Sequence, residues 1–310
     1  MARSTREREA EPAKRRWPFW LIFIGVALVA GAYILGGSDE RPRGVSVALP
    51  PASVTPIAPI AQAAAPGSVA AWLKNAVLAP DAAGKARIAI VIDDLGLDRA
   101  RSTRAASLPG PLTLSFLAYA GNLPQQTEAA RHAGHELLVH VPMEPVNAAI
   151  STIAAGEQAP LTPDEIQRRL RWDLDRFPGY VGIDDPMGGK SPADAAAMRA
   201  TMAELKSRGL IFLDARANPD AAMPQVAREA GVPYVARDTF LDSETAPASD
   251  IDERLSGLER IALQRFTAIA IVHPHDATLA ALARWLPTLP KKGIVLVPLS
   301  DIVRARVNAS

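Results

Sequence analysis

The stretch that decides the fold is RIAIVIDDLG, residues Arg87–Gly96. An apolar run rich in β-branched residues is typical of a strand that is buried on both faces, as in a parallel sheet. This run ends on two adjacent aspartates, Asp93 and Asp94, with a glycine two residues further on. Two like charges on a tight turn repel each other, so the sequence predicts a cation or a shared proton beside them.

Further apolar runs follow along the chain, and helical patterns separate them. Two of these helical patterns begin with a good N-terminal signal, Thr162 or Ser191, followed by proline. Regular alternation of strands and helices predicts an α/β fold with a parallel sheet. About eight such units in one domain favour a deformed parallel β/α barrel over an open sheet. The strand candidates after the first are LTLSFL, HELLVHV, YVGI, GLIFLD, VPYVARD, TAIAIVH and GIVLVPL.

The N-terminal part of the chain carries a membrane signal. A basic tail over residues 1–16 precedes an uncharged, mainly apolar stretch over residues 17–37, which is long enough for one transmembrane helix. The basic flank should stay cytoplasmic, so we expect a single-pass inner-membrane protein whose C-terminal domain faces the periplasm. A cleaved signal peptide is the alternative. Residues 38–84, rich in proline and alanine, predict an extended linker before the β/α domain at residues 85–310.

The composition of the chain excludes several classes of function. The formal net charge is +1, and no basic run is interleaved with aromatic residues, so nothing indicates nucleic-acid binding. The chain has no cysteine, which excludes disulfide frameworks and thiolate metal sites. A metal site in this protein would therefore use nitrogen and oxygen ligands.

Polar residues follow the apolar runs at the points where the predicted strands end. In parallel barrels these C-terminal ends converge on one mouth, where the chemistry takes place. Asp93, Asp94, His140 and His273 could together bind zinc or a harder divalent ion. An aspartate after a strand is often only the cap of the next helix, and for Asp214, taken singly, capping is the simpler interpretation.

Several segments together resemble the divergent polysaccharide deacetylases, the YibQ-like proteins. The resemblance rests on IAIVIDDLG, LPGPLTLSFLAYA, ARHAGHELLVHVPMEP, RGLIFLDAR, GVPYVARDTFLD and the C-terminal stretch that begins AIAIVHPHD. It implies a NodB-type deformed barrel, a divalent metal, and hydrolysis of an acetyl group on a glycan or peptidoglycan fragment. It also implies site roles: Asp93 as general base, Asp94 and His140 as metal ligands, and His273 as general acid.

The segment DDPMGGK, residues 184–190, departs from the family pattern. YibQ-like proteins typically have a histidine, a third metal ligand, at the position of Pro186. If the site is rebuilt, Asp184 or Asp185 supplies an oxygen, and we assign this role to Asp185. Such a ligand set favours Mn, Mg or Fe over Zn. If the site is lost, the domain binds a glycan without cleaving it.

Other residues are candidates for substrate binding or for the core. Glu144, between two prolines, and Arg216, after Asp214, are expected to line the mouth and contact substrate together with Asp214. Each of them has a salt-bridge alternative. Trp172 is expected in the core. His275 is expected to be a solvated loop residue.

Overall fold

The computed structural model describes residues 69–141, 162–185, 192–215, 223–242 and 248–307. The predicted cytoplasmic tail, the predicted transmembrane stretch and most of the predicted linker lie outside these ranges. No helix within the described residues is long and apolar enough to cross a membrane.

Parallel strands alternate with helices along the described chain. The strands are β1 (Ala86–Leu95), β2 (Thr113–Leu117), β3 (Glu136–His140), β4 (Gly182–Asp185), β5 (Ile211–Asp214), β6 (Tyr234–Ala236), β7 (Thr239–Phe240), β8 (Thr267–Val272) and β9 (Ile294–Leu296). The α-helices are α1 (Ala71–Asn75), α2 (Arg99–Ala106), α3 (Leu123–His132), α4 (Pro163–Leu174), α5 (Pro192–Arg208), α6 (Met223–Ala230), α7 (Ala248–Arg265), α8 (Asp276–Trp285) and α9 (Leu299–Val307). A 3₁₀ helix spans Leu286–Lys292.

All the strands belong to one parallel sheet with the order β6-β5-β4-β3-β2-β1-β8-β7. The order follows the chain around a curl, as expected for a β/α barrel, and β9 pairs with the beginning of β1. In the described part of the chain the end strands β6 and β7 do not pair with each other, so the sheet is a half-barrel rather than a closed ring. The strands at the opening are too short for a long ladder, since β6 has three residues and β7 has two.

The sheet has two apolar faces with different partners. Ile90, Phe116 and Phe212 share a cluster with residues of α4 and α5 such as Leu174 and Leu205, and we call this the outer face. Val91, Leu138 and residues in phase with them form a second cluster with residues of α1 and α9, on what we call the inner face. We call the C-terminal end of the inner face the mouth. Both faces are buried, which explains why the strands are apolar at nearly every position.

Part of the predicted linker packs against this domain. Helix α1 inserts Trp72, which is 7% exposed, into the inner-face cluster. The backbone N–H of Trp72 donates a 3.0 Å hydrogen bond to the Gly209 carbonyl, and the side chain of Asn75 donates one to the Tyr180 carbonyl. Residues 71–75 therefore add to the core of the half-barrel.

The N-terminal signal predicted at Thr162 is confirmed. Its side chain accepts a hydrogen bond from the Glu165 amide, and the Glu165 carboxylate accepts one from the Thr162 amide, which makes a capping box at the start of α4. This well-defined start fixes where α4 begins after the segment that precedes it. Ser191 lies outside the described residues.

Candidate active site

The two aspartates at the end of β1 reach the same site, although adjacent residues of a regular strand point to opposite faces. The pairing of β1 with β2 shifts its register between Ile92 and Leu95. Within this bulge Asp94 has a left-handed φ of 55°, and its amide donates a 2.8 Å hydrogen bond to Asp93 Oδ1. The bulge therefore turns the Asp94 side chain toward the mouth instead of toward the helices.

His140, the last residue of β3, lies between these aspartates and a third one. Its Nδ1 donates to Asp93 Oδ1 at 2.6 Å and lies 3.3 Å from Asp184 Oδ2. Its Nε2 lies 3.6 Å from Asp94 Oδ1. Because carboxylates on the Nδ1 side fix the proton there, the opposite nitrogen faces Asp94 at the mouth.

The electrostatics of this cluster follow from its burial. Burial alone would lower the pKa of His140, but the neighbouring charges of Asp93 and Asp184 raise it well above its usual range. Burial, and then the charge of Asp184, raise the pKa of Asp93 to about 7, and His140 opposes this rise. The site thus holds a carboxyl group that exchanges its proton near neutral pH.

His273 follows β8 and approaches Asp94 from the other side. Its Nε2 lies 3.6 Å from Asp94 Oδ2, and its Nδ1 lies 3.3 Å from Asp242 Oδ1. The His273 amide also donates to both Asp242 oxygens, at 3.1 and 3.0 Å. Burial alone would lower the pKa of His273, but Asp242 and then Asp94 raise it above its ordinary value. A raised pKa favours the protonated imidazole, which suits a proton donor.

Two residues of this site were missed in the sequence as individual candidates. Asp242 is 1% exposed and also accepts a 2.6 Å hydrogen bond from the Thr278 hydroxyl. Ser115, on β2, donates to Asp184. Asp242 lies within TFLD, a segment quoted for the resemblance, but nothing in an unaligned sequence singles it out. Ser115 is in phase with the inner face of β2, and that phase is visible only in the structure.

The third oxygen near His140 belongs to Asp184, which is fully buried. Asp185, the residue that we assigned as a metal ligand, ends β4, and its side chain lies outside the described part of the protein. Asp184 is therefore the aspartate whose contact with His140 the structure describes, and the metal-ligand role assigned to Asp185 stays a prediction. Pro186, the site of the family's histidine, also lies outside the described residues.

The predicted substrate-binding residues do not gather at the mouth in the described chain. Asp214 is in phase with Phe212 on the outer face of β5, and its carboxylate accepts a hydrogen bond from the Tyr234 hydroxyl. Adjacent strand residues alternate between faces, which places Asp214 away from the mouth. Glu144 and Arg216 lie outside the described residues.

The rim of the mouth carries residues of other kinds. Tyr119, just after β2, is 37% exposed, and burial and then the charge of Asp94 raise the pKa of its hydroxyl. Burial raises the pKa of Asp173 on α4 to about 7, and the charge of His140 opposes this rise. Trp172, expected in the core, is instead 51% exposed, with the Arg176 guanidinium 4.7 Å above its ring.

The donors around Asp94 fit a divalent cation. Histidines that bind metals usually hold a carboxylate or carbonyl at the other ring nitrogen, which orients the ring, and both His140 and His273 have this arrangement. Asp93, His140 Nδ1 and Asp184 are also close enough to hold an ion, but all three residues are nearly inaccessible. A catalytic metal needs an open position. The side of His140 that faces Asp94, whose side chain is 45% exposed, offers one.

The comparisons with known proteins agree with this geometry. Residues 90–303 match the family model described as divergent polysaccharide deacetylase, and the chain belongs to that family. The uncharacterized protein YibQ of Escherichia coli is 30% identical over 229 residues, which cover 74% of this chain and 70% of YibQ. A Haemophilus influenzae protein is 27% identical over 220 residues, 71% of this chain and 78% of that protein.

A solved structure has the same fold. The crystal structure of ATU2773, an uncharacterized protein from Agrobacterium tumefaciens, superposes with a TM-score of 0.68 at 28% identity. The match covers 77% of this chain and 97% of ATU2773. The curled parallel half-barrel is thus shared with a relative over nearly all of its length.

Proposed function

We propose that this protein is a membrane-anchored, periplasm-facing hydrolase that depends on a divalent metal and removes acetyl groups from an envelope glycan such as peptidoglycan. One observation carries the proposal. His140 and His273, from strands on either side of β1, turn their Nε2 atoms to the two oxygens of Asp94, each at 3.6 Å. The predicted membrane segment at residues 17–37 supports the location.

Asp94 and His140 are the residues that would hold the metal. Asp184, whose Oδ2 lies 3.3 Å from His140 Nδ1, and Asp185 are the candidates for a third protein oxygen, which would favour Mn, Mg or Fe over Zn. When bound, such an ion polarises the acetyl carbonyl and makes a bound water more acidic.

Asp93 serves as the general base in this proposal. Its Oδ1 accepts hydrogen bonds from His140 Nδ1 and the Asp94 amide, which leaves Oδ2 to take a proton from water. A pKa of about 7 matches this task, because a base works best when its pKa is close to the working pH.

His273 serves as the general acid. Asp242 stabilises its protonated form and holds the ring, while Nε2 faces the open side of Asp94. The oxygen of water bonds to the acetyl carbon. The bond between that carbon and the nitrogen or oxygen of the sugar breaks, and His273 gives its proton to the departing amine or alcohol. The products are acetate and a free amino or hydroxyl group.

Acetate release from acetylated chitooligosaccharides and peptidoglycan fragments tests this function. The purified full chain, supplied with Zn, Mn, Mg or Fe in turn, should release acetate. Asp93→Asn and His273→Gln should lower the rate about 100-fold or more. His132→Gln is the matched control, because His132 is a histidine with an 80% exposed side chain on α3, and its rate should not change. Absence of acetate with every metal would overturn the proposal.

The alternative is a glycan-binding or envelope-organising protein on a degraded esterase scaffold. The presence of Pro186 where the resemblance expects a histidine favours it. This function predicts saccharide binding that survives chelation by EDTA. Binding that disappears with EDTA would exclude it.

A further inference from the structure

A second cluster of possible ligands lies behind the proposed general acid. Asp242, His273 and His275 each offer one atom, and these three atoms lie within 4.8 Å of one another. The nitrogen of His273 next to Asp242 is Nδ1, whereas Nε2 is the one next to Asp94. A cation held by Nδ1 would therefore be separate from the donors around Asp94.

One ring nitrogen in this cluster is buried without a partner, and a second has a single contact. His275 Nε2 is shielded from solvent and makes no hydrogen bond in the described part of the molecule. His273 Nδ1 is also shielded, and its contact is Asp242 Oδ1 at 3.3 Å. A buried nitrogen without a partner is unfavourable, so His275 Nε2 indicates a missing binding partner beside Asp242 and His273.

The cluster is held in place by its surroundings. Asp242 is fixed by the His273 amide and the Thr278 hydroxyl. The centroid of the His273 ring lies 5.0 Å from that of Phe240 and 5.4 Å from that of His275, so two neighbouring rings pack against it. His275 occupies the position before α8, yet its side chain does not cap that helix.

The spacing of the ligand atoms suits a small cation. Bonds of about 2.0–2.2 Å in a tetrahedral site place neighbouring ligand atoms about 3.3–3.6 Å apart. The 3.3 Å between His273 Nδ1 and Asp242 Oδ1 already matches this separation. His275 is only partly buried, and since its ligand atom lies within 4.8 Å of the other two, a shift of about 1.5 Å or less in its side chain would complete the set.

We propose that Asp242, His273 and His275 form a second divalent-cation site, selective for ions that prefer imidazole, such as zinc. The site stands on the geometry of these three residues and does not depend on the proposed hydrolysis.

Metal stoichiometry tests the site without an activity assay. The metal-free full chain would be titrated with Zn²⁺ by calorimetry and with Co²⁺ by visible absorption, which reports nitrogen ligands. Wild type should bind two equivalents, His275→Ala one, Asp94→Ala one, and the double variant none. His132→Ala, the matched exposed histidine, should still bind two.

Two results would overturn the second site. One is a His275→Ala variant that binds as many equivalents as wild type. The other is a wild-type chain whose single equivalent disappears in Asp94→Ala. Asp242→Asn gives a second measurement, since it keeps the shape of the side chain but should weaken the second equivalent.

The outcome of this titration is independent of the proposed hydrolysis. A chain that releases no acetate but loses one equivalent in His275→Ala supports the second site and counts against only the proposed hydrolase function.

Discussion

Asp94 allows a direct test of how two adjacent carboxylates reach one site. Its φ of 55° is left-handed, a conformation that costs an ordinary L-residue about 1–2 kcal/mol. Glycine avoids this cost but loses about 0.5–1 kcal/mol more conformational entropy than alanine on folding. The difference predicts that Asp94→Gly is more stable than Asp94→Ala by about 0.5–1 kcal/mol. Asp94→Asn should lie between them, because asparagine tolerates this conformation.

The comparison among these three variants isolates the backbone. All three remove the charge beside Asp93, so the relief of carboxylate repulsion is common to them and cancels. Urea unfolding followed by circular dichroism gives the free energy of unfolding of each. All three should also lose acetate release, and a stability that rises while activity is lost would show that the strain at this residue serves the site.

An Asp94→Ala variant at least as stable as Asp94→Gly would refute this reasoning. The residue would then not need a left-handed backbone. The account of the bulge after Ile92, which turns the Asp94 side chain toward His140 and His273, would fail with it.

Three further predictions concern the fold and the metal. Gly96→Ala should destabilise the protein in urea unfolding by about 2 kcal/mol or more, because φ at Gly96 is +111° and the new Cβ would lie 2.6 Å from the Cβ of Ala120. Gly121→Ala is the control and should be nearly neutral, because its new Cβ meets nothing within 4 Å. Burial lowers the pKa of His135, so the unfolded state binds the extra proton and stability should fall as pH drops below about 6.5, by at most about 1.4 kcal/mol per pH unit. His135→Gln should lose this component in unfolding measured between pH 5 and 8, and an unchanged slope would contradict it. Pro186→His should raise divalent-metal affinity in calorimetry, and an unchanged affinity would mean that the family's third ligand position lies elsewhere.

The general architecture could be predicted from the sequence because its signals are local. Apolar runs gave the strands, and Thr162 followed by proline gave the start of α4. The order of the units then implied that polar residues at the strand ends would meet, and Asp93, His140 and His273 do lie around Asp94. No knowledge of side-chain packing was needed for these steps.

The phase of each strand could not be predicted in the same way. A strand that is apolar on both faces does not reveal which alternate residues point inward. This ambiguity left Asp184 and Asp185 as alternatives in the sequence, and it led to Asp214 as a mouth residue although Asp214 is in phase with Phe212 on the outer face. Asp242 follows β7, a strand of only two residues, which leaves no apolar run to mark its end.

Once the phase of the strands is known, the inner face explains why the pKa of Asp93 is raised. The inward-facing residue two positions before each site residue is apolar and completely buried: Val91 precedes Asp93, and Leu138 precedes His140. This layer excludes water from beneath the carboxyl group, and burial is the largest cause of the raised Asp93 pKa. The core that stabilises the half-barrel therefore also produces the weakly acidic group that the proposed hydrolysis requires.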